Sequence, residues 1–291
     1  MAVPVAHPES RYFRLFENSK RLFWDPSRID LTRDAADWAA IRRDHAAARY
    51  PEQLYRLIAL FYQGEASVTR TLSPYLMAAS RLGLGTDLEL YLTSQIYEEA
   101  KHFDFFSRYF REVLGEDGAA TLASLTPEPQ QLLVDGLEAL AERLRREDDL
   151  ERLSQTLVEA VTCYMGVVEA LVARTGYLAA HDALAARGWM PGLQEGFRLI
   201  RRDEGRHVAF GIHFLADRLR ARPADRVIVE AVVERELPNV IGIVQSFSAY
   251  ADPIVDLAKL TRFALDASAQ FLAGIDTGAG AERLLSELEG G

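Results

Sequence analysis

Residues 97–106 read YEEAKHFDFF, and residues 202–211 read RDEGRHVAFG. Each stretch holds a Glu-x-x-His pair, Glu99 with His102 and Glu204 with His207. Residues three apart share one face of an α-helix, so each pair presents a carboxylate and an imidazole to the same side. The neighbours are those of a core helix: Ile96, Phe103 and Phe106 surround the first pair. One such pair is common on a solvated helix face. Here each is preceded by a lone glutamate at a matched distance, Glu65 by 34 residues and Glu169 by 35. That repetition predicts two antiparallel helix pairs of equal length, with all six side chains at one level of a bundle.

In a four-helix bundle, one Glu from each of two helices and Glu-x-x-His from each of the other two form the ligand set of a dinuclear carboxylate site. The residue types suit that chemistry. Carboxylates bridge hard cations and offset charge that a dry core could not otherwise hold, and neutral imidazoles complete each metal without adding charge. Phe61, Val68 and Leu72 around Glu65 supply the dry surroundings. Asp203, next to Glu204, reads either as the partner of a ligand histidine's far nitrogen or as a solvated acid. Glu98 and Glu159 read as surface or outer residues, and His7, His45, His181 and His213 fit no ligand spacing.

Working outward, apolar residues recur every three or four positions and alternating strand-like runs are scarce, so the fold class is all-α. A first long helix starts at Pro51 and runs through Ser80 with Pro74 as a kink; the next runs from Thr86 or Asp87 to Leu114, ended by Gly115. TPEPQ at 126–130 opens another, further core helices cover about 149–173 and from Pro191 to RARPAD, and two more span about 223–247 and 252–273. The expected organisation is a single domain over residues 1–275 with an N-terminal extension, then a polar tail at 276–291. An ideal helix turns about 100° per residue and places Tyr164 about 140° away from Glu169. Regular spacing would not aim both at one site, whereas a π-bulge would allow it.

Composition excludes several classes. A net charge of −10 without a basic stripe argues against nucleic acid and anionic lipid. One cysteine, Cys163, excludes an internal disulfide framework and fits a reducing, cytoplasmic setting. No uninterrupted apolar run reaches the roughly 20 residues of a membrane span, and MAVPVAHPES is not a secretory leader.

These residues together resemble the ligand-binding oxidases related to the small subunit of ribonucleotide reductase, in the ferritin-like superfamily. The likeness covers most of the chain: RLFENSKRLFWDPSRIDLTRDAADW at 14–38, Glu65 with Val68, the EEAKH and DEGRH pairs, and Tyr164 five residues before Glu169. It implies a ferritin-like four-helix bundle with added terminal helices and a homodimer. It further implies one manganese and one iron ion per chain, or two irons, that activate O2 for two-electron oxidation of a bound long-chain fatty acid or similar hydrophobic molecule. It also implies an oxidative ether cross-link between a valine and a tyrosine. Carried onto this sequence, the metal ligands are Glu65, Glu99, His102, Glu169, Glu204 and His207, with Glu99 as the bridge, and Val68 and Tyr164 are the linked pair.

Three rivals share parts of this pattern. A radical-generating reductase subunit would be expected to carry a tyrosine one turn beyond the first ligand histidine, where Phe106 stands, and another near the C-terminus, where none follows Tyr250. An acyl-acyl-carrier-protein desaturase has similar pairs but does not account for Val68 with Tyr164. An iron-storage bundle is the non-enzymatic alternative; two C-terminal helices would have to be fitted to it.

Overall fold

The computed structural model describes residues 6–118, 121 and 125–277, and no strand occurs among them. An N-terminal arm contributes α1 (Arg11–Arg21) and α2 (Thr32–Asp44). The first bundle helix, α3 (Tyr50–Thr71), has Pro51 in its opening turn and stops one residue before α4 (Ser73–Arg81). The interruption expected at Pro74 is therefore a break at Leu72, because proline lacks an N–H and its ring crowds the preceding turn. Helix α5 (Thr86–Tyr109) runs on through a π turn, Phe110–Leu114, to Gly115 at φ 77°.

Helix α6 covers 127–146, with a π stretch at Gln130–Gly136. Helix α7 (Leu150–Ala185) is longer than its sequence suggested: the turns after 173 continue as Arg174–Ala185 and bury Tyr177, Ala180 and Leu184. By length and composition α7 passes as a membrane span, but 89% of its apolar window is buried in the bundle, the signature of a core helix. Helix α8 (Pro191–Ala221) carries the second pair; α9 (Arg226–Gln245) and α10 (Leu257–Thr277) complete the described chain. Helix α10 starts five residues later than expected and takes Asp276 and Thr277 from the presumed tail, whose residues 278–291 lie outside the description.

The N-terminus of α8 is anchored by Asp34 of α2. Its buried carboxylate accepts from Gly192 N (2.8 Å), Leu193 N (2.7 Å) and Tyr109 Oη (3.1 Å). This satisfies otherwise orphaned donors of the first turn and complements the helix dipole. Gly211 of α8 meets Met165 of α7 so closely that a Cβ there would clash, which lets these two helices approach. Two apolar clusters result. One gathers Val68, Leu72, Leu92, Met165 and Phe210; the other gathers Ile58, Phe61, Phe106, Tyr177 and Phe197. On α3, α5 and α8 the polar residues of interest lie in sequence between the two.

Candidate metal centre

Glu65 projects from α3, Glu99 and His102 from α5, Glu169 from α7, and Glu204 and His207 from α8; all six are at most 4% exposed. Three of these helices are regular at the site. The fourth is not: Thr162–Ala173 within α7 is a twelve-residue π stretch, with Arg174 N bonded to the Glu169 carbonyl five residues back. In that register residues five apart overlie one another, so Tyr164 and Glu169 face the same interior. The π device anticipated for Tyr164 is present.

The six residues form two overlapping groups. Glu65, Glu99, His102 and Glu204 offer ligand atoms within 4.8 Å of one another, as do Glu99, Glu169, Glu204 and His207. His102 Nδ1 lies 3.5 Å from Glu65, 3.5 Å from Glu99 and 3.6 Å from Glu204. His207 Nδ1 lies 2.9 Å from Glu99, 3.4 Å from Glu169 and 3.6 Å from Glu204. Glu99 and Glu204 thus stand between both halves, two shared carboxylates where sequence singled out one.

One buried atom from each of the six residues lacks a hydrogen-bond partner: Glu65 Oε2, Glu99 Oε2, His102 Nδ1, Glu169 Oε2, Glu204 Oε2 and His207 Nδ1. Leaving such atoms unsatisfied costs about 1–3 kcal/mol each. Their convergence fits a pair of hard cations held by carboxylate oxygen and imidazole nitrogen. The local field says the same. Burial alone would depress both imidazoles, but Glu65 and the other carboxylates at His102, and Tyr91 followed by Glu99 and its neighbours at His207, raise both well above the usual histidine range. Burial pushes Glu65 up to about 8, with His102 pulling against it. Burial also acts to raise Glu99, yet His207 and then His102 hold it below the usual carboxylate range. A field that draws protons onto imidazoles draws cations equally.

Behind the imidazoles the helices exchange partners. The acid preceding each Glu of one pair holds the far nitrogen of the other pair's histidine: Asp203 Oδ2 lies 3.1 Å from His102 Nε2, and Glu98 Oε2 lies 3.0 Å from His207 Nε2. Asp203 also accepts from Trp24 Nε1 and Lys101 Nζ, both at 2.7 Å, and from Arg206 at 2.6 Å; Arg206 spans across to Glu98. Asp203 is therefore a buried partner, not a solvated acid. Glu98 is 2% exposed, so its surface reading fails and its outer-partner reading holds. Glu159 sits apart, paired with Arg143 and Arg235. Sequence reasoning missed Trp24, Lys101 and Arg206 in this role. The signal was a parallel pattern, acid–Glu–small–base–His, in both EEAKH and DEGRH.

The opposite side is apolar. A cavity there is lined by Leu60, Phe61, Val68, Val168 and Val172 together with Glu65, Glu99, Glu169 and Glu204. Its other polar tips are two tyrosines. Tyr164 Oη donates to Glu99 Oε1 at 2.6 Å, and Tyr177 Oη donates to Glu65. Burial, then the neighbouring glutamates, raises both phenols well above their usual range, so they remain protonated donors. Val68 and Tyr164 both line this cavity.

A model of the ribonucleotide reductase small chain family matches residues 4–254. The chain belongs to that family. It is a metal-dependent oxidoreductase, and among solved structures it is similar to R2-like ligand-binding oxidases. A glycine-to-leucine variant with an anaerobically reconstituted Mn/Fe cofactor superposes at a TM-score of 0.82 with 25% identity, covering 91% of this chain and 92% of that one. A valine-to-leucine variant with the same cofactor gives 0.82, 25%, 91% and 93%. A glutamate-to-aspartate variant with an aerobically reconstituted Mn/Fe cofactor gives 0.80, 25%, 91% and 93%. The glycine variant was also solved with an Fe/Fe cofactor. The altered residues of those proteins are a glycine, the glutamate directly after it and a valine three positions further on. Gly64, Glu65 and Val68 stand in that order and spacing. The ferritin-like bundle fold expected from the sequence is borne out.

Proposed function

We propose that this chain is an O2-activating Mn/Fe oxidase that carries out a two-electron oxidation of a hydrophobic, fatty-acid-like molecule, and that it joins Val68 to Tyr164 through an ether bond. The observation that carries the reading is the set of six converging orphaned ligand atoms, the four glutamates among them lining an apolar cavity. Glu65 and His102 would hold one ion, Glu169 and His207 the other, and Glu99 and Glu204 would bridge them. The metals supply O2 activation when bound; the protein supplies orientation, charge and water exclusion. Asp203 and Glu98 fix the imidazole orientations so that Nδ1 faces inward. The valines and Phe61 keep water from the reacting side. Tyr164 and Tyr177 hold protons at Glu99 and Glu65.

In the cross-link one Val68 C–H and the Tyr164 O–H break and one C–O bond forms; the two electrons and two protons pass to O2. An acid's carboxylate would meet the metals at the cavity floor while its chain followed the hydrocarbon wall. A single domain over 1–275, a homodimer and a cytoplasmic setting belong to this proposal. Phe106, buried and in ring contact with Phe61 at 6.2 Å, occupies the place of the tyrosine expected in a radical-generating subunit; a phenylalanine variant of that subunit exists, so the joined Val68–Tyr164 peptide is what separates the two readings.

Peptide mass spectrometry after aerobic loading with manganese and iron tests the reading. The segments holding Val68 and Tyr164 are expected joined, two hydrogens lighter than their sum, in protein carrying about two ions per chain by elemental analysis. Fully metallated, air-exposed protein without the joined species would shift the assignment to a desaturase or reductase relative. Zinc alone, or no transition metal, would end the oxidase reading. Uptake of iron far beyond two ions would indicate storage.

A further inference from the structure

Of the four helices that meet at the ligand layer only α7 leaves the α register there, over Thr162–Ala173. π turns are rare and mostly occur singly, so a run of twelve residues needs support from outside the helix. In the α register the same residues would turn Tyr164 about 140° away from Glu169. The stretch also carries Gly166, a poor residue for a helix interior unless packing requires it.

The packing at Gly166 comes from α10. A Cβ at residue 166 would lie 2.6 Å from Phe271 Cε1 and 2.7 Å from its Cζ, so the ring rests directly on the helix backbone. One residue earlier the stretch is gripped from another side, where a Cβ at Gly211 of α8 would lie 2.5 Å from Met165 Cβ. Met165 and Gly166 stand between Tyr164 and Glu169, so both grips fall within the five-residue repeat that aligns those two. The α8 grip belongs to the layer itself, since α8 carries Glu204 and His207. The α10 grip does not: α10 supplies no ligand and begins at Leu257, beyond residue 254 where the family match ends.

Phe271 is a fixed support. It is 2% exposed, and Gly274 and Ile275 are buried one turn further on. Exposed ion pairs hold the two ends of α10, Lys259 with Asp182 of α7 and Asp276 with Arg226 at the start of α9. Pairs of that kind contribute little, so the buried ring is the firmer attachment.

We infer that Phe271 is a positioning residue for the joining of Val68 to Tyr164: its ring, seated on Gly166, holds α7 in the π register that aims Tyr164 at Glu99. This deepens the oxidase reading proposed above and rests on it. With the ring removed, Glu169 stays in the ligand layer and the slack falls on the turn before it, which holds Tyr164.

The test compares Phe271→Ala with Ile275→Ala, a comparably buried truncation on the same helix. Reduced, metal-loaded protein is mixed with air-saturated buffer, quenched at intervals and digested, and the joined peptide is followed by mass spectrometry. Phe271→Ala is expected to keep about two ions per chain by elemental analysis while the joined peptide forms about 100-fold more slowly, the order of loss for a reacting group displaced by roughly 1 Å. Phe271→Leu, which refills part of the space, falls between that variant and wild type, and Ile275→Ala stays close to wild type. A crystal structure of metal-loaded Phe271→Ala is expected to show the Glu169 N–H bonded four residues back, to Met165, and the Tyr164 hydroxyl off Glu99. Joining at the wild-type rate, or an unchanged register, overturns the assignment. So does loss of metal in step with the joining rate, because Phe271 would then act through the ligand layer. Equal slowing in Ile275→Ala reduces the residue to general packing and overturns it as well. Should Phe271→Ala fail to fold, Phe271→Leu and Gly166→Ala, which sets a methyl against the ring, decide: slowed joining with both ions bound supports the assignment, and normal joining overturns it. Fully metallated wild-type protein that never joins overturns the oxidase reading, and the crystallographic register then tests Phe271 by itself.

Discussion

The two sides of the cluster are built from opposite materials. Behind the imidazoles, Glu98, Asp203, Lys101, Arg206 and the Trp24 indole form a buried network in which the named groups touch one another across α1's exit, α5 and α8. In front of the glutamates there is hydrocarbon, relieved only by two phenol tips. The charged side explains how such a core is tolerated. With neutral imidazoles, six buried carboxylates face two buried cations, a deficit of four charges that two divalent ions cancel. The apolar side explains where chemistry can occur, because a reacting centre facing hydrocarbon is shielded from water and from competing proton transfer. Charge balance and water exclusion thus fall to different faces of one layer.

The strongest blow to that division falls on the layer itself. Glu99 stands in both ligand groups and takes the Tyr164 proton donor, so Glu99→Ala removes a contact from each half at once. Elemental analysis is expected to show paired metal binding abolished and O2 consumption lost. A variant that kept two ions and normal O2 uptake would mean Glu99 does not bridge.

Next in size, the two faces should respond unequally to removal of one hydrogen-bond partner each. Asp203→Asn keeps the shape but leaves Lys101 and Arg206 with one fewer buried counter-charge and alters the partner that sets the His102 tautomer. A loss of about 3 kcal/mol in stability is expected, with metal affinity down about 10–100-fold. Tyr177→Phe removes a single neutral donor from Glu65 and should cost roughly 1 kcal/mol. Equal losses in the two variants, measured by thermal unfolding and competitive metal titration, would contradict the division of labour between faces.

The comparison also marks what the sequence disclosed. The ligand layer was legible because its residues are forced into a repeating grammar: four helices crossing one level impose the 34- and 35-residue spacings of Glu65, Glu99, Glu169 and Glu204. Tyr164 was legible only in part. Its aim depends on the i→i+5 register of α7, which local propensity does not encode and which tertiary packing imposes. The charged face was legible in principle, since Glu98 and Asp203 precede the ligand glutamates and Lys101 and Arg206 precede the ligand histidines. What hid it was the ordinary expectation that Lys, Arg and adjacent acids face solvent. Trp24 gave no such signal, because its partner lies 179 residues away.

Val68 offers the smallest perturbation of the dry face. It is 4% exposed and lines the apolar cavity, but offers no ligand atom and no hydrogen bond. Val68→Ala deletes two methyl groups from the dry face, a stability loss of about 1.5 kcal/mol if the site does not collapse. Because the charged face is untouched, both metals should remain bound with affinity within a few-fold of wild type. The joined peptide should vanish, since the two γ-methyls are gone and the tertiary Cβ–H has become a methyl C–H, a stronger bond to break. Loss of metal in this variant would show that the hydrocarbon face also holds the ions. Persistence of a joined species at residue 68 would show that the new alanine's own methyl can be attacked, placing selection of the carbon in the reach of Tyr164 and not in the valine.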